Sequence, residues 1–437
     1  MHFLVLRRTH TFLLKRNMSI SRRLRGFDAP TVWQEFTPLA NEHKAVNLGQ
    51  GFPDWETPQF AKDAMLKAVT ENFNQYCRAA GEVNIVNALA KHYSPLVGRQ
   101  IDAMTEVVTS VGATEALFAI MQAMLNEGDE VVIIEPCFDI YPAQVQMAGG
   151  IAKYVPLRLA SDGISWELNM SELENTITSQ TKILLLNTPH NPTGKVLSMS
   201  ELTAISEILL RQPHVTAVMD EVYEKLVYDG MEHIRLASLP GMWERTITVS
   251  SCGKTFSMTG WKVGWAYGHK NLIQPIINAN QWIQYCVSTP TCRALAYVLE
   301  EAEKPYEGHA SYYSFVKWEY ERKRDDLAAS LRGAKLRPII PQGGFFIMTD
   351  TSSIKDEMID EKFRTQPMPN GQSPATRDWA FARWMTVVNG VTNIPPSAFY
   401  TLPNQHLAAN LARYAFCKSD PALLEAKNRL LRFGEGY

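Results

Sequence analysis

Two lysines in the stretch "SSCGKTFSMTGWKVGW" (residues 250–265) are the first groups in this 437-residue chain that invite a chemical reading. Lys254 follows a turn of small residues, Ser251-Cys252-Gly253, at the end of the apolar run "RTITVSS" (245–251). An amine delivered from a buried strand loses solvent, which lowers its pKa and makes it a usable nucleophile or base. Taken alone it is equally a lysine that snorkels to the surface. Other strand-like runs also end in chemically capable residues. "VTAVMDE" (215–221) delivers Asp220, with Tyr223 three residues on; a buried carboxylate there calls for a cationic partner. "TKILLLN" (181–187) runs into "NTPHNPTGK", a loop stiffened by two prolines that can aim the Asn191 amide, with Asn191-Pro192 a candidate cis peptide. "DEVVIIE" (129–135) leads to Phe138, which can stack on a flat ring or simply fill the core. "TEVVTSV" (105–111) leads to Gly112-Ala113-Thr114 at the start of a helical pattern. Free N–H groups there, with the Thr114 hydroxyl, suit a phosphate, although an ordinary turn capped by Thr114 reads the same way.

One ligand satisfies all of these strand ends. It has a flat aromatic ring for Phe138, and a phosphate for Gly112–Thr114 and Ser251 with Lys262 as counter-charge. Its ring nitrogen is kept protonated by Asp220, its phenolic oxygen is held by Asn191 and Tyr223, and its aldehyde meets Lys254. That ligand is pyridoxal 5′-phosphate, for which an aspartate partner to the ring nitrogen is a known need. No GxGxxG fingerprint is present, which counts against a nicotinamide oxidoreductase.

The elements that must position these residues alternate along the chain. Apolar strand runs are separated by helical patterns such as "GATEALFAIMQAML" and "MSELTAISEILLRQ". Several runs are apolar almost throughout, as strands covered on both faces are, so the expected fold is α/β with a mostly parallel sheet. In such sheets ligands bind beyond the carboxyl ends of the strands. After a charged helical stretch (about 315–332), "LRPIIPQGGFFIMTD" and "NLARYAFCKSD" predict a second, smaller α+β domain. The expected organisation is a possible presequence at 1–18, an N-terminal arm at 19–57 packed with the small domain, a large domain at 58–318 and the small domain at 319–437.

Composition agrees with a folded globular chain: 46% of the residues are hydrophobic and the formal net charge is −2, which gives no support to nucleic-acid binding. Six cysteines without a CxxC pair fit buried thiols in a reducing compartment. No apolar run is long enough to span a membrane. Residues 1–25 carry seven basic residues (Arg7, Arg8, Lys15, Arg16, Arg22, Arg23 and Arg25), and no acid precedes Asp28. That composition resembles a mitochondrial presequence, while Met18 could start a cytoplasmic product.

The order Tyr76, "NTPHNPTG", "DEVYEKLVYDG", "SSCGKTFSMTGWKVGW" and "ARYAFCK" resembles the class I, fold-type I aminotransferases from about residue 19 to the end. Within that family "NLGQGFPDW", "EPCFDIY", "LPGMWERTITVSS", "RPIIPQGGFF" and "NIPPSAFY" resemble the branch of kynurenine aminotransferases, glutamine transaminase K and cysteine-S-conjugate β-lyases. The resemblance implies a seven-stranded, mostly parallel sheet and a homodimer with shared active sites. It implies Lys254 as the covalent attachment point and proton carrier, Asp220 at the ring nitrogen, and Tyr223 and Asn191 at the phenolic oxygen. Ala113, Thr114, Ser251 and Lys262 would hold the phosphate, with Tyr76 reaching it from the neighbouring subunit. Phe138 would stack on the ring, Arg413 would grip the substrate carboxylate beside Asn191, Gly51 would close over the substrate by its backbone, and Trp33 would line the same pocket. Thr114 and Val287-Ser288 stand where animal members of the branch usually carry a tyrosine and an aromatic pair, which implies a broad specificity including methionine and glutamine. A dedicated β-lyase or a cyclopropane-carboxylate synthase on the same fold is the alternative, and a cofactor-free binding protein a more distant one.

Overall fold

The computed structural model describes residues 21–27 and 29–436; the expected presequence at 1–18 lies outside them. A seven-stranded sheet forms the centre. Its strands are β1 (Val107–Ser110), β2 (Glu130–Glu135), β3 (Ile151–Pro156), β4 (Thr181–Asn187), β5 (Thr216–Asp220), β6 (Thr246–Ser251) and β7 (Gly264–Gly268). Their spatial order is β1-β7-β6-β5-β4-β2-β3. Apart from β7 the strands share one direction, and β7 runs antiparallel to both of its neighbours. β1, β2, β6 and β7 are buried at every residue, the pattern that helices covering both faces impose.

The sheet is mostly parallel, as the alternating runs predict. The sequence pattern does not reveal β7. Its five residues, "GWAYG", are bounded by glycines and hold one aliphatic side chain, so they do not stand out beside the more continuous apolar runs. The strand matters for the site. An antiparallel strand begins at the edge where its parallel neighbours end, and Gly264 pairs with both Ser110 and Ser251. That reversal brings Lys262, two residues before β7, to the rim that the other strand ends define. The approach is close: a Cβ on Gly264 would lie 2.4 Å from the Gly112 carbonyl carbon, so only glycine fits beside the turn into the next helix.

A second sheet of three antiparallel strands, β8 (Arg337–Ile339), β9 (Phe346–Asp350) and β10 (Leu411–Ala415), lies in the C-terminal part. The N-terminal helix α1 (Val32–Glu42) packs on the later helix Arg377–Val387. Phe36 packs against Trp379, and Glu35 accepts from Arg383 Nε at 2.5 Å and from Trp379 Nε1 at 3.0 Å. No described helix is long and apolar enough to cross a membrane.

Candidate active site

The carboxyl ends of the central strands open into one cavity of about 370 Å³, and residues from α1 and from the small sheet close it. Helix α2 (Gly112–Met124) begins directly after β1, and its first residues, Gly112, Ala113 and Thr114, line the cavity wall. Gly112 adopts φ +75°, a conformation that a side chain resists, and Lys262 Nζ sits 3.0 Å from where its Cβ would be. Ser251, the last residue of β6, lines the same wall. This arrangement of helix-start amides, hydroxyls and one ammonium is an anion cradle.

One helical turn, Cys252–Thr255, follows β6 and carries Lys254 into the cavity. Its Nζ donates to the Gly51 carbonyl at 3.0 Å, and burial lowers its pKa to about 8. Asp220 ends β5 and is 4% exposed. Burial pushes its carboxyl up to about 6, against the Tyr141 O–H, which donates to Asp220 Oδ2 at 2.6 Å. Tyr223 is buried, and its phenol is pushed well above the ordinary range by desolvation, so it enters any reaction as an O–H donor. Phe138 reaches the cavity just before helix α3 (Ile140–Met147).

Asn187 joins two of the strand ends. Its side chain donates to the Asp220 carbonyl at 2.8 Å and accepts from the Asn191 N–H at 2.7 Å. The Asn191-Pro192 peptide is cis, as are Thr188-Pro189 and Glu135-Pro136. Asn191 Oδ1 in turn accepts from Arg413 Nη1 at 3.1 Å, and Gly49 O accepts from Arg413 Nη2 at 2.8 Å. Arg413 is 1% exposed, and its Nε has no hydrogen-bond partner among the described residues. Burial lowers its pKa to about 10, and it remains a cation near neutral pH.

Every candidate site residue named from the sequence lines this cavity except Tyr76, and the specificity positions Val287 and Ser288 do not line it either. Tyr76 is 86% exposed and its ring meets the edge of Tyr285 at 5.4 Å, on the outer surface. Three further participants carry no signal of their own in the sequence: Tyr141, Asn187 and Asp139, whose Oδ2 accepts the Trp33 indole N–H at 3.1 Å. All lie at or just beyond strand ends already singled out. What sets them apart from neighbours is the direction of their side chains, which the string does not carry.

The profile of the aminotransferase class I and II family matches residues 43–379. A kynurenine–oxoglutarate transaminase of Dictyostelium discoideum is 46% identical over 98% of this chain and 99% of its own length. Kynurenine–oxoglutarate transaminase 1 of Homo sapiens is 41% identical over 94% of this chain and 97% of its own. Among solved structures, Bna3p of Saccharomyces cerevisiae, described as a candidate kynurenine aminotransferase, superposes with a TM-score of 0.89 at 31% identity, covering 96% of this chain and all of that one. A match of this extent, on a chain whose strand ends converge on a lysine, an aspartate and an arginine, places the protein in the class I and II aminotransferase family.

Proposed function

We propose that this protein moves the amino group of an L-amino acid to a 2-oxo acid by a ping-pong reaction, with pyridoxal 5′-phosphate as its cofactor and kynurenine, glutamine, methionine and aromatic amino acids as donors. One observation carries the reading: a desolvated lysine, a buried aspartate and a buried arginine with an unused N–H meet in a single cavity.

The residues present fit the cofactor. Asp220 makes no salt bridge among the described residues and burial raises its pKa, so a protonated ring nitrogen would suit it as a partner. The Gly112–Thr114 turn, Ser251 and Lys262 would hold the phosphate. Phe138 would lie on the ring face, with Asn191 and Tyr223 at the phenolic oxygen. Bound there, the cofactor supplies an electron sink for the bond broken at the substrate Cα.

The remaining work belongs to the protein. Arg413 takes the α-carboxylate of donor and acceptor in turn, and Asn191, already bonded to it, sets the plane of its fork. Lys254 is the covalent attachment point and the base that moves the Cα proton. Trp33, Gly51 and Phe346 close the substrate side and limit water. A donor with a leaving group at Cβ loses it in the same site, which gives a cysteine-S-conjugate β-lyase side activity.

The test is a panel of donors (kynurenine, glutamine, methionine and phenylalanine) against several 2-oxo acids. Amino transfer to the added oxo acid distinguishes this reading from a dedicated β-lyase or a cyclopropane-carboxylate synthase. If no donor yields its oxo acid, the reading falls; if only kynurenine fails, the substrate assignment falls and the reaction class stands.

Tyr141 tunes this chemistry through Asp220. Its hydrogen bond favours the carboxylate, so Tyr141→Phe raises the Asp220 pKa further and leaves more of it protonated near neutral pH. The acid limb of cofactor binding to the cofactor-free protein, followed against pH, then moves up by about one unit, the worth of one such hydrogen bond.

The active unit is a homodimer in which Tyr76 reaches the partner's phosphate. Mixing Lys254→Ala chains with Tyr76→Ala chains then restores activity, because one site of the hybrid keeps both groups; no recovery after subunit exchange would rule out sharing. The basic N-terminus supports mitochondrial import, with a cytoplasmic form from Met18, and the location of tagged Met1 and Met18 products decides between them.

A further inference from the structure

The Arg413 guanidinium lies among three aromatic rings. Its carbon is 4.0 Å from the Phe346 ring centre, 4.9 Å from Phe399 and 5.2 Å from Trp33. Phe346 and Phe399 are core residues, each 3% exposed, so packing alone holds them. Trp33 is different. It is half-buried in the first turn of α1, a helix whose other anchors, Glu35 and Phe36, face Arg377–Val387 rather than the cavity. The polar tie of its indole is the bond to Asp139 Oδ2 at 3.1 Å.

Asp139 stands at the N-cap of α3, yet its side chain makes no cap hydrogen bond. Burial raises its pKa; the Trp33 N–H, the Arg413 charge and, less strongly, the backbone N–H groups of Asp139 and Ile140 oppose that rise. The side-chain hydrogen bond of this buried carboxylate therefore goes to the Trp33 indole. Ring and guanidinium attract each other, and an indole fixed on its N–H side cannot swing away from that contact.

We propose that Asp139 is a positioning residue for the substrate-carboxylate site: by accepting the Trp33 N–H it holds the indole against Arg413 and so fixes the fork that takes the carboxylate. This rests on the proposed function for the identity of the substrate. Asp139 itself acts through Trp33 and does not line the cavity.

The experiment uses the full chain loaded with cofactor and reads kcat, KM for the amino donor, and the Kd of 3-phenylpropionate by calorimetry. Asp139→Leu should raise KM and Kd about tenfold, the worth of one charge-assisted hydrogen bond, with kcat changed by less than about twofold. Asp139→Asn, which keeps an acceptor oxygen, should stay within about threefold of the parent. Trp33→Phe, which keeps a ring and loses the N–H, should match Asp139→Leu, and the double variant should be no worse than either single. Should Asp139→Leu fail to fold, Trp33→Phe and Asp139→Asn still separate the two outcomes. Unchanged binding, a fall in kcat alone, additive single effects, or an Asp139→Asn as impaired as Asp139→Leu overturns the proposal. A parent protein that binds 3-phenylpropionate but transfers no amino group overturns the proposed reaction instead, and the calorimetric comparison still judges Asp139.

Discussion

Replacing Lys254 by alanine is expected to lower amino transfer by about 10⁴-fold or more, the upper range for a positioned general base, with the loss of a covalent nucleophile added. Lys254→Arg should be equally inactive, because a guanidinium stays protonated and cannot accept the Cα proton. A small amine such as methylamine should restore part of the Lys254→Ala activity. Rescue of that kind separates a chemical role from a structural one, and an alanine variant with near-parental turnover would remove Lys254 from the reaction. The group carries its own pH signature. Burial lowers the pKa of the free amine from 10.5 to about 8, so in the cofactor-free protein the neutral amine becomes more available, and covalent attachment of the cofactor faster, as pH rises towards 8. The stability effect has a definite sign. In the folded chain the buried amine binds its proton less tightly than in the unfolded chain, so stability rises with pH between about 8 and 10.5 and carries the full cost below 8. Lys254→Met should therefore stabilise the protein prepared without cofactor near neutral pH, by an amount on the order of 1–3 kcal/mol, while abolishing activity. Thermal melts at several pH values check this, and the difference should shrink above about pH 8.

Arg413→Lys should reduce kcat/KM by about 10²- to 10³-fold for donors and 2-oxo acids alike, because a point ammonium cannot reproduce two parallel N–H bonds to a carboxylate. The loss should appear mainly in KM. Simple amines without a carboxylate should react with the variant about as slowly as with the parent, which isolates the carboxylate contact. The geometry gives the reason for the size of the effect. Arg413 is almost fully buried and already bonds Asn191 and Gly49 through its two terminal nitrogens, so its fork has little freedom before substrate arrives. A lysine at the same strand position would lose both bonds and leave the Asn191 amide unheld. Equal losses for carboxylate and non-carboxylate substrates would show that Arg413 serves only the fold.

Much of this protein is legible in its sequence, for a physical reason. Buried parallel strands must be apolar nearly throughout, so the place where each one ends can be read, and Asp220, Asn191, Phe138 and Lys254 are found at those ends or a few residues past them. Loop chemistry is legible too, since the prolines of "NTPHNPTG" restrict the backbone locally. Arg413 and Trp33 are assigned only by family likeness, because each reaches the cavity through contacts hundreds of residues apart or nearly so: Arg413 to Asn191 and Gly49, Trp33 to Asp139. The reversed strand β7 is hidden because glycines bound it and break its apolar run, although it explains how Lys262 and the Gly112 turn share one anion cradle. Tyr141 stands in plain view two residues past Asp139, but a tyrosine in a helix start reads as core until the fold shows its hydroxyl on Asp220. Local composition thus determined which groups the strands would deliver. Which of them share a proton, a charge or a wall depends on long-range packing, and that was decided only when the sheets closed on each other.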